Sequence, residues 1–175
     1  DYKVIANFLL QRLKPLEETV MPVNPFETRK EIKSSVSGIK QALFHIKEGH
    51  PLGVFPAGEV STFKEDKDIV DKPWTDEAVK LIKKANVPVL PVYFHAKNSL
   101  AFYKLAKISD DLRTAKIPSE MLNQRHREII VRIGYPISSK DQEEYDDLNG
   151  YKAFLRKKTY MLSSSFEKSN LTTRF

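Results

Sequence analysis

The sequence contains no cysteine. This absence excludes a disulfide scaffold, a thiolate metal site and a cysteine nucleophile. No apolar run approaches the roughly 20 residues of a membrane-spanning helix. The chain opens with Asp1, Tyr2 and Lys3 rather than with the charged start and apolar stretch of a signal peptide. It also opens without methionine, so we expect further residues ahead of Asp1 in the intact protein.

Charge is the strongest feature of the composition. The 175 residues include 29 basic and 23 acidic side chains, a formal net charge of +6. This balance favours an anionic partner, such as nucleic acid, an acidic lipid surface or an anionic cofactor. The densest basic clusters, at residues 125–127 and 156–158, are short, which favours a solvated face over a nucleic-acid patch. We therefore expect no nucleic-acid partner.

Helical and extended patterns alternate along the chain. Apolar residues at the spacing of one helix face, Val36, Ile39, Leu43 and Ile46, predict a helix that Ser34 or Ser35 caps and Gly49 ends. The other predicted helices are Asn7–Leu16, one that begins at Thr75, Leu100–Ile108 and Asp146–Lys168. The predicted strands are residues 2–6 (strand or helix start), Val20–Val23, Leu52–Phe55, Val87–Phe94, where regular pairing begins after Pro91, and Ile129–Ile133.

This alternation predicts one α/β domain over residues 1–175, with a largely parallel sheet flanked by helices. Its 41% hydrophobic content is sufficient for a packed core. In such sheets, ligands bind beyond the carboxyl ends of the strands. The turn after Phe55 and the segment after Phe94 are therefore the candidate sites.

Two motifs carry a resemblance to a known family. The stretch from Gly53 to Ser61 reads Gly-Val-Phe-Pro-Ala-Gly-Glu-Val-Ser. It resembles the third motif of the glycerolipid and lysophospholipid acyltransferases, Phe-Pro-Glu-Gly-Thr-Arg-Ser. The segment Val87–Val92 resembles their fourth motif, Val-Pro-x-x-Pro-Val, and a predicted helix fills the gap between the two, as in that family.

The tract from Phe94 to Ile137 resembles one bacterial branch of this family, often labelled hemolysins and related to enzymes of ornithine- and glycine-lipid synthesis. The matching pieces are Asn98–Ser99, Phe102–Tyr103, Leu112–Thr114, Glu120–Asn123 and Ile133–Ile137, with residues 1–7 and 22–26. The resemblance implies the fold of the glycerol-3-phosphate acyltransferases, here incomplete at the N-terminus. It implies no metal and no cofactor beyond the acyl donor.

The resemblance also implies a reaction. Such enzymes move a fatty acyl group from acyl carrier protein or acyl-CoA to a hydroxyl of a lyso-lipid. The family's His-x-x-x-x-Asp pair removes the hydroxyl proton. None of the four histidines here, His45, His50, His95 and His126, has aspartate five residues later. We expect the pair upstream of Asp1, and therefore expect the full-length protein to be the enzyme and this chain alone to be inactive.

The resemblance assigns the substrate contacts to the third motif and its surroundings. The predicted contacts are Phe55, Pro56, Ala57, Gly58, Glu59, Ser61 and Arg29, with Pro88 and Pro91 as a wall of the site. Ala57 and Val60 stand where the family has glutamate and arginine. Losing the arginine weakens the case for a phosphate-bearing acceptor, and Glu59 would suit a cationic head group such as that of an amino-acid lipid.

Structural interpretations compete with these functional ones. Phe55 is expected first of all as a core residue. Glu59 is either a helix cap or a ligand contact, and a surface salt bridge is favoured for Arg29. His45 and His95 are interpreted as structural histidines with satisfied hydrogen bonds.

Membrane contact is a further expectation. Trp74 suits packing better than an interfacial anchor, and the helix with Phe102, Tyr103, Lys104 and Lys107 suits either an anionic lipid surface or core packing. We expect an enzyme peripheral on an anionic membrane, at the cytoplasmic side of the inner membrane. The alternative is a non-catalytic basic module that binds anionic membrane or nucleic acid.

Overall fold

The computed structural model describes residues 1–7, 14–23, 32–64, 68–105, 107–125 and 127–163. The chain divides into two compact units. The first unit comprises Asp1–Val87 and Ser139–Lys152, and the second comprises Pro88–Ser138 and Ala153–Phe175. The single domain over residues 1–175 stays a prediction. No helix in the described ranges combines the length and the apolar character needed to cross a membrane.

A small parallel sheet organises the first unit. Strand β1 (Lys3–Asn7) lies in its centre, between β2 (Val20–Val23) and β3 (Leu52–Gly53). Helix α1 (Ile32–Lys47) lies between β2 and β3 in the chain. The buried cluster of this unit joins sheet and helices through Met21, Ala42 and Leu81, with Ile5, Leu43 and Leu52 packed against it.

The ends of α1 test two expectations. The helix already includes residues 34 and 35, so the prediction that Ser34 or Ser35 caps it was wrong. The prediction for the other end is confirmed, because Gly49 takes a positive φ of 85° and its N–H donates to the carbonyl of Ile46 at 2.9 Å. Glycine is favoured at this left-handed position after a helix.

A short hairpin and a helix follow β3. Strands β4 (Thr62–Lys64) and β5 (Asp68–Val70) pair antiparallel. Helix α2 (Asp76–Ala85) then begins after Thr75, whose side chain accepts a hydrogen bond from the N–H of Ala78, as the acidic first turn and Thr75 predicted. The hairpin was not predicted, because strands of three residues are too short to show a recognisable alternation.

The described residues of the second unit form an antiparallel strand pair, two helices and the C-terminal part of a third. Strand β6 (Val92–His95) pairs with β7 (Ile130–Ile133), which confirms that regular pairing begins after Pro91. Helix α3 (Leu100–Leu105) contacts α4 (Asp110–Asn123). Helix α4 was not predicted, because its interior contains Pro118 and its composition is polar.

The described part of the chain closes with two further helices, α5 (Ser139–Glu143) and α6 (Leu148–Tyr160), and a 3₁₀ turn over Met161–Ser163. Helix α6 begins two residues later than predicted, where the Asp147 carboxylate accepts from the N–H of Gly150 at 2.8 Å. Of the other predicted helix, Asn7–Leu16, residues 14–16 form a 3₁₀ turn. Residues 8–13 and 164–168 lie outside the described residues.

The α/β class is correct, but the described residues do not form a largely parallel sheet. Among them, only β1, β2 and β3 pair parallel, whereas β4–β5 and β6–β7 pair antiparallel. Alternating helices and strands show that the connections are long enough for a parallel crossover. They do not fix the direction in which the next strand returns, which is where the prediction failed.

Candidate functional site

The third motif leaves its strand in the direction of the edge where the parallel strands end. Strand β3 ends at Gly53, which pairs with Val4 in β1. Strands β1 and β2 run in the same direction and end together at Asn7 and Val23, three residues further along β1. The third motif therefore leaves β3 toward the carboxyl edge of the parallel sheet, the edge at which α/β proteins bind ligands.

A tight turn follows Phe55. Its carbonyl accepts a hydrogen bond from the N–H of Gly58 at 2.9 Å. Proline occupies the second turn position, and Ala57 keeps a negative φ, as in a type I turn. Gly58 has a φ of +68°, a conformation that costs other residues energy. A Cβ at Gly58 would approach Thr75 Cγ2 no closer than 3.9 Å, so conformation rather than crowding requires the glycine.

Thr75 fixes this turn to helix α2. The carbonyl of Pro56 accepts hydrogen bonds from the backbone N–H of Thr75 at 2.8 Å and from its hydroxyl at 3.2 Å. The same hydroxyl oxygen accepts from the N–H of Ala78 at 3.3 Å, which caps the helix. One threonine thus holds both the turn and the first turn of α2.

Phe55 is not a core residue. It is 63% exposed, so the expectation of core packing was wrong. The reason is the length of β3, which ends at Gly53 and leaves Phe55 beyond the sheet, at the first position of the turn. The turn therefore presents an exposed aromatic ring just beyond β3.

Two polar pairs lie next to the turn. Glu59 forms an ion pair with Lys72, and the Ser61 hydroxyl donates to the carboxylate of Asp71. The β4–β5 ladder produces both pairs, because it aligns Thr62 with Val70 and so brings the preceding and following residues together. The side chains of Glu59 and Lys72 remain 49% and 35% exposed.

The structure excludes Glu59 as the cap of α2, and the two pairs add Asp71 and Lys72 to the candidate site. Glu59 does not cap α2, since Thr75 does. Its carboxylate pairs with the ammonium of Lys72. An ion pair at this exposure contributes little to the free energy of unfolding. Sequence reasoning missed Asp71 and Lys72, because only the unpredicted hairpin brings them to the third motif.

The fourth motif is tied to another matching piece of the sequence. The backbones of Val89 and Ile137 exchange hydrogen bonds at 3.0 and 2.8 Å, and the N–H of Gly134 donates to the carbonyl of Pro91 at 2.9 Å. Pro91 is buried and Pro88 is exposed. The fourth motif thus needs residues 134–137 for its backbone geometry.

The predicted site residues fall into three groups. The third-motif residues, Phe55 to Glu59 and Ser61, lie together in the first unit, while Pro88 and Pro91 belong to the second. Arg29 lies outside the described residues. The third-motif group, with Thr75, Asp71 and Lys72 added, is therefore the candidate site that the structure assembles.

Residues from the segments that resemble the bacterial branch hold α3 against α4. Glu120 is buried, and its carboxylate accepts from the N–H and the hydroxyl of Ser99, both at 2.7 Å. Lys116 and Asn123 also approach it, at 3.6 and 3.3 Å. Burial alone would raise the pKa of Glu120, but the Ser99 hydrogen bonds and the charge of Lys116 outweigh it and hold the pKa below its usual value.

Two open alternatives resolve toward packing. Phe102 and Tyr103 are buried, with their rings in edge-to-face contact at 5.5 Å. They cannot insert into lipid without unfolding α3, so core packing is the correct alternative for that helix. Trp74 is also buried, as its packing interpretation predicted.

The histidines behave differently from one another. His45 is buried with Nε2 3.3 Å from the carbonyl of Pro51, so the satisfied structural histidine is confirmed. His95 Nε2 is buried without a hydrogen-bond partner in the described part of the chain, so the same interpretation was wrong for His95. His126 lies outside the described residues. Within the described ranges, no three carboxylate or imidazole groups cluster as metal ligands.

Comparison with known proteins gives a consistent result. A family model described as Acyltransferase matches residues 1–169. A lyso-glycine lipid O-acyltransferase of Bacteroides thetaiotaomicron is 27% identical over 141 residues, which cover 77% of this chain and 50% of the relative. One from Phocaeicola vulgatus is 27% identical over 145 residues, covering 78% and 49%. The chain spans about half the length of these curated relatives. No solved structure matches it significantly.

Proposed function

We propose a function from one premise, that the chain belongs to the acyltransferase family. The intact protein transfers a fatty acyl group from acyl carrier protein or acyl-CoA to the hydroxyl of a lyso-lipid, a step of membrane lipid synthesis. It works at the cytoplasmic face of the inner membrane. The names of both relatives, which specify transfer to an oxygen of a lyso-lipid, support this choice.

One observation carries the proposal for this part of the protein. The third-motif turn presents the exposed ring of Phe55 and, directly after the turn, the Glu59–Lys72 ion pair. A lyso-lipid has the same two parts, an apolar chain and a polar head group. A ligand site of this kind needs apolar contact area with a few polar groups that fix orientation.

The proposed chemistry is a single acyl transfer. The acceptor oxygen bonds to the acyl carbon, the carbon–sulfur bond of the thioester breaks, and the hydroxyl proton passes to a histidine and then to the leaving thiolate. An aspartate holds the histidine in the required tautomer. We place this pair outside the 175 residues, because none of the four histidines here has the family spacing to an aspartate.

For the acceptor head group we propose an amino-acid lipid rather than a phosphate ester. The third motif has Val60 where the family has arginine, so it lacks the bidentate cation that suits phosphate. Instead, Glu59 and Lys72 offer one negative and one positive group side by side. The head group contacts this pair in the proposed complex.

The test is an acyl-transfer assay of the full-length protein with lyso-phospholipid and lyso-amino-lipid acceptors. We expect higher kcat/KM for the lyso-amino-lipid. Glu59→Gln and Lys72→Gln should each raise KM for that acceptor, because each leaves one head-group charge unpaired. Glu77→Gln and Lys84→Gln, which remove exposed charges on α2, are the matched controls. Equal KM for the site and control variants contradicts the proposed head-group contact, and no transfer to either acceptor contradicts the proposed function.

A further inference from the structure

The two units differ strongly in charge. The second unit has 13 lysines and arginines and 5 acidic residues, a formal charge of +8. The first unit has 16 basic and 18 acidic residues, a formal charge of −2. The positive charge that the composition reveals therefore belongs to the second unit alone. A unit with this excess attracts anionic surfaces at a distance set by the salt concentration.

The second unit also exposes one face of its strand pair. Directly opposed residues of an antiparallel pair share a face, so Phe94 and Val131 point the same way, together with Val92 and Ile133. Phe94, Val131 and Ile133 are 48%, 44% and 64% exposed. Ile129 and Tyr135 extend the same alternation beyond the strand and are exposed as well. We call Phe94, Ile129, Val131, Ile133 and Tyr135 the apolar stripe.

The other face of the pair is covered around its centre. Tyr93 packs against Tyr160 with ring centroids 5.9 Å apart. Arg132, directly opposite Tyr93, donates to the carbonyl of Leu162 at 2.9 Å. The end of α6 and the 3₁₀ turn thus cover that face at Tyr93 and Arg132, while Ile130 at its end is 56% exposed. The apolar stripe lies on the side away from α6 and the 3₁₀ turn.

Exposed cations lie at one end of the apolar stripe. The ladder ends where His95 pairs with Ile130, so Lys97 follows β6 and Arg125 and Arg127 precede β7 at the same end. The side-chain amide of Gln124 donates to the carbonyl of Lys97 at 3.0 Å, which holds the two segments together. Lys97, Arg125 and Arg127 are all exposed. We call these three residues the basic rim.

We propose that the second unit docks on an anionic lipid bilayer, with the apolar stripe inserted at the headgroup boundary and the basic rim on the lipid phosphates. This inference rests on the proposed function, whose acceptor resides in such a surface. A bilayer satisfies both features, because its interior accepts apolar side chains and its surface attracts cations. Nucleic acid would match the charge but leave the apolar stripe in water.

The test uses the full-length protein and two vesicle compositions, pure phosphatidylcholine and phosphatidylcholine with phosphatidylglycerol. Co-sedimentation measures the bound fraction. The rim variant carries Lys97→Gln, Arg125→Gln and Arg127→Gln. Its control removes the same charge from exposed positions of the first unit, through Lys40→Gln, Lys47→Gln and Lys84→Gln. The stripe variant carries Val131→Thr and Ile133→Thr, which keeps the β-branched shape that a strand favours.

We expect binding to the anionic vesicles only. The rim variant should lose about tenfold or more in partition, since each cation near such a surface contributes to binding, while the control stays within about twofold. The stripe variant should bind more weakly than the unmodified protein. Equal losses in the rim and control variants, or no preference for anionic vesicles, overturn the proposal.

Two further measurements separate the possible causes of failure. Side-chain footprinting of Phe94 and Tyr135 without vesicles detects another occupant, such as the rest of the chain or a second copy, and strong protection of both rings overturns the proposal. Transfer to a short-chain acceptor in free solution reports on the chemistry alone. Anionic-vesicle binding without transfer in solution supports docking and overturns the proposed function, whereas transfer in solution without vesicle binding does the reverse.

Discussion

At the scale of single residues, Thr75 joins two elements. It lies outside the third motif, yet its backbone N–H and its hydroxyl both donate to the Pro56 carbonyl while it caps α2. The cap was readable from the sequence, because threonine followed by two acids is a helix-start pattern. The bond to the turn was not, since residues 56 and 75 are joined only by tertiary structure.

We expect Thr75→Ala to lower the free energy of unfolding by about 1 to 2 kcal/mol, because both the cap and the side-chain bond to Pro56 are lost. Thr75→Ser keeps the hydroxyl and should recover most of this loss. Urea denaturation of both variants measures the difference. If serine is as destabilising as alanine, packing of the threonine methyl group, rather than its hydroxyl, stabilises this corner.

Glu120 gives a prediction about pH. Because the folded state holds the pKa of Glu120 below its usual 4.5, ionised Glu120 contributes stability that is present above that usual value and is lost as the pH falls through the folded pKa. Glu120→Gln should cost roughly 1 to 3 kcal/mol at neutral pH, and the difference from the unmodified protein should shrink below about pH 4.5.

Denaturation curves of the two proteins between pH 7 and pH 3 test this expectation. Glu128→Gln, at an exposed position outside the helices, is the control, and its curve should follow that of the unmodified protein. A Glu120→Gln difference that is constant over the whole range would mean that the carboxylate charge is not what stabilises the α3–α4 contact.

At the scale of elements, the turn after β3 depends on one left-handed residue. Gly58→Ala should destabilise the protein by about 1 kcal/mol, because alanine must adopt a φ of +68°. Gly58→Asn should cost less, since asparagine tolerates this region better. Thermal unfolding ranks the two variants, and alanine less costly than asparagine would point to crowding at Thr75 instead of backbone conformation.

The sequence predicted elements best where a local signal was strong. The apolar spacing in α1, the β-branched run of β7 and the prolines ahead of β6 each specify their own conformation. Helix α4 and the β4–β5 hairpin have no such signal; α4 packs against α3, and the hairpin rests on the pairing of its own two short strands. The exposure of Phe55 followed from where β3 stops, and element ends are poorly determined by sequence.

At the scale of the whole molecule, the proposed reaction places its histidine–aspartate pair outside these 175 residues. We expect the isolated chain to show no acyl transfer. In the full-length protein, replacing the histidine of a His-x-x-x-x-Asp pair should lower kcat by about 100- to 10,000-fold, the usual contribution of a positioned general base. Vesicle co-sedimentation of that variant should be unchanged. An unaffected kcat would contradict the expectation.

The whole-molecule charge was readable from the sequence, but its distribution was not. Basic residues occur throughout the chain, which favoured a dispersed charge. The structure divides the chain at Val87, Ser138 and Lys152, and only this division reveals that the two units have opposite signs. Motif resemblance identified the family without these boundaries, whereas the proposed docking surface depends on them.

The shared role of Thr75 has a consequence for local opening. The amide of Gly58 is protected by the turn and that of Val79 by the start of α2, through bonds to Phe55 and Thr75. Fraying of the helix start would break the contacts that hold Pro56, and the turn would then lose its anchor. The two amides should therefore exchange with solvent as one cooperative unit, so a bound head group that protects Gly58 would slow exchange at Val79 as well.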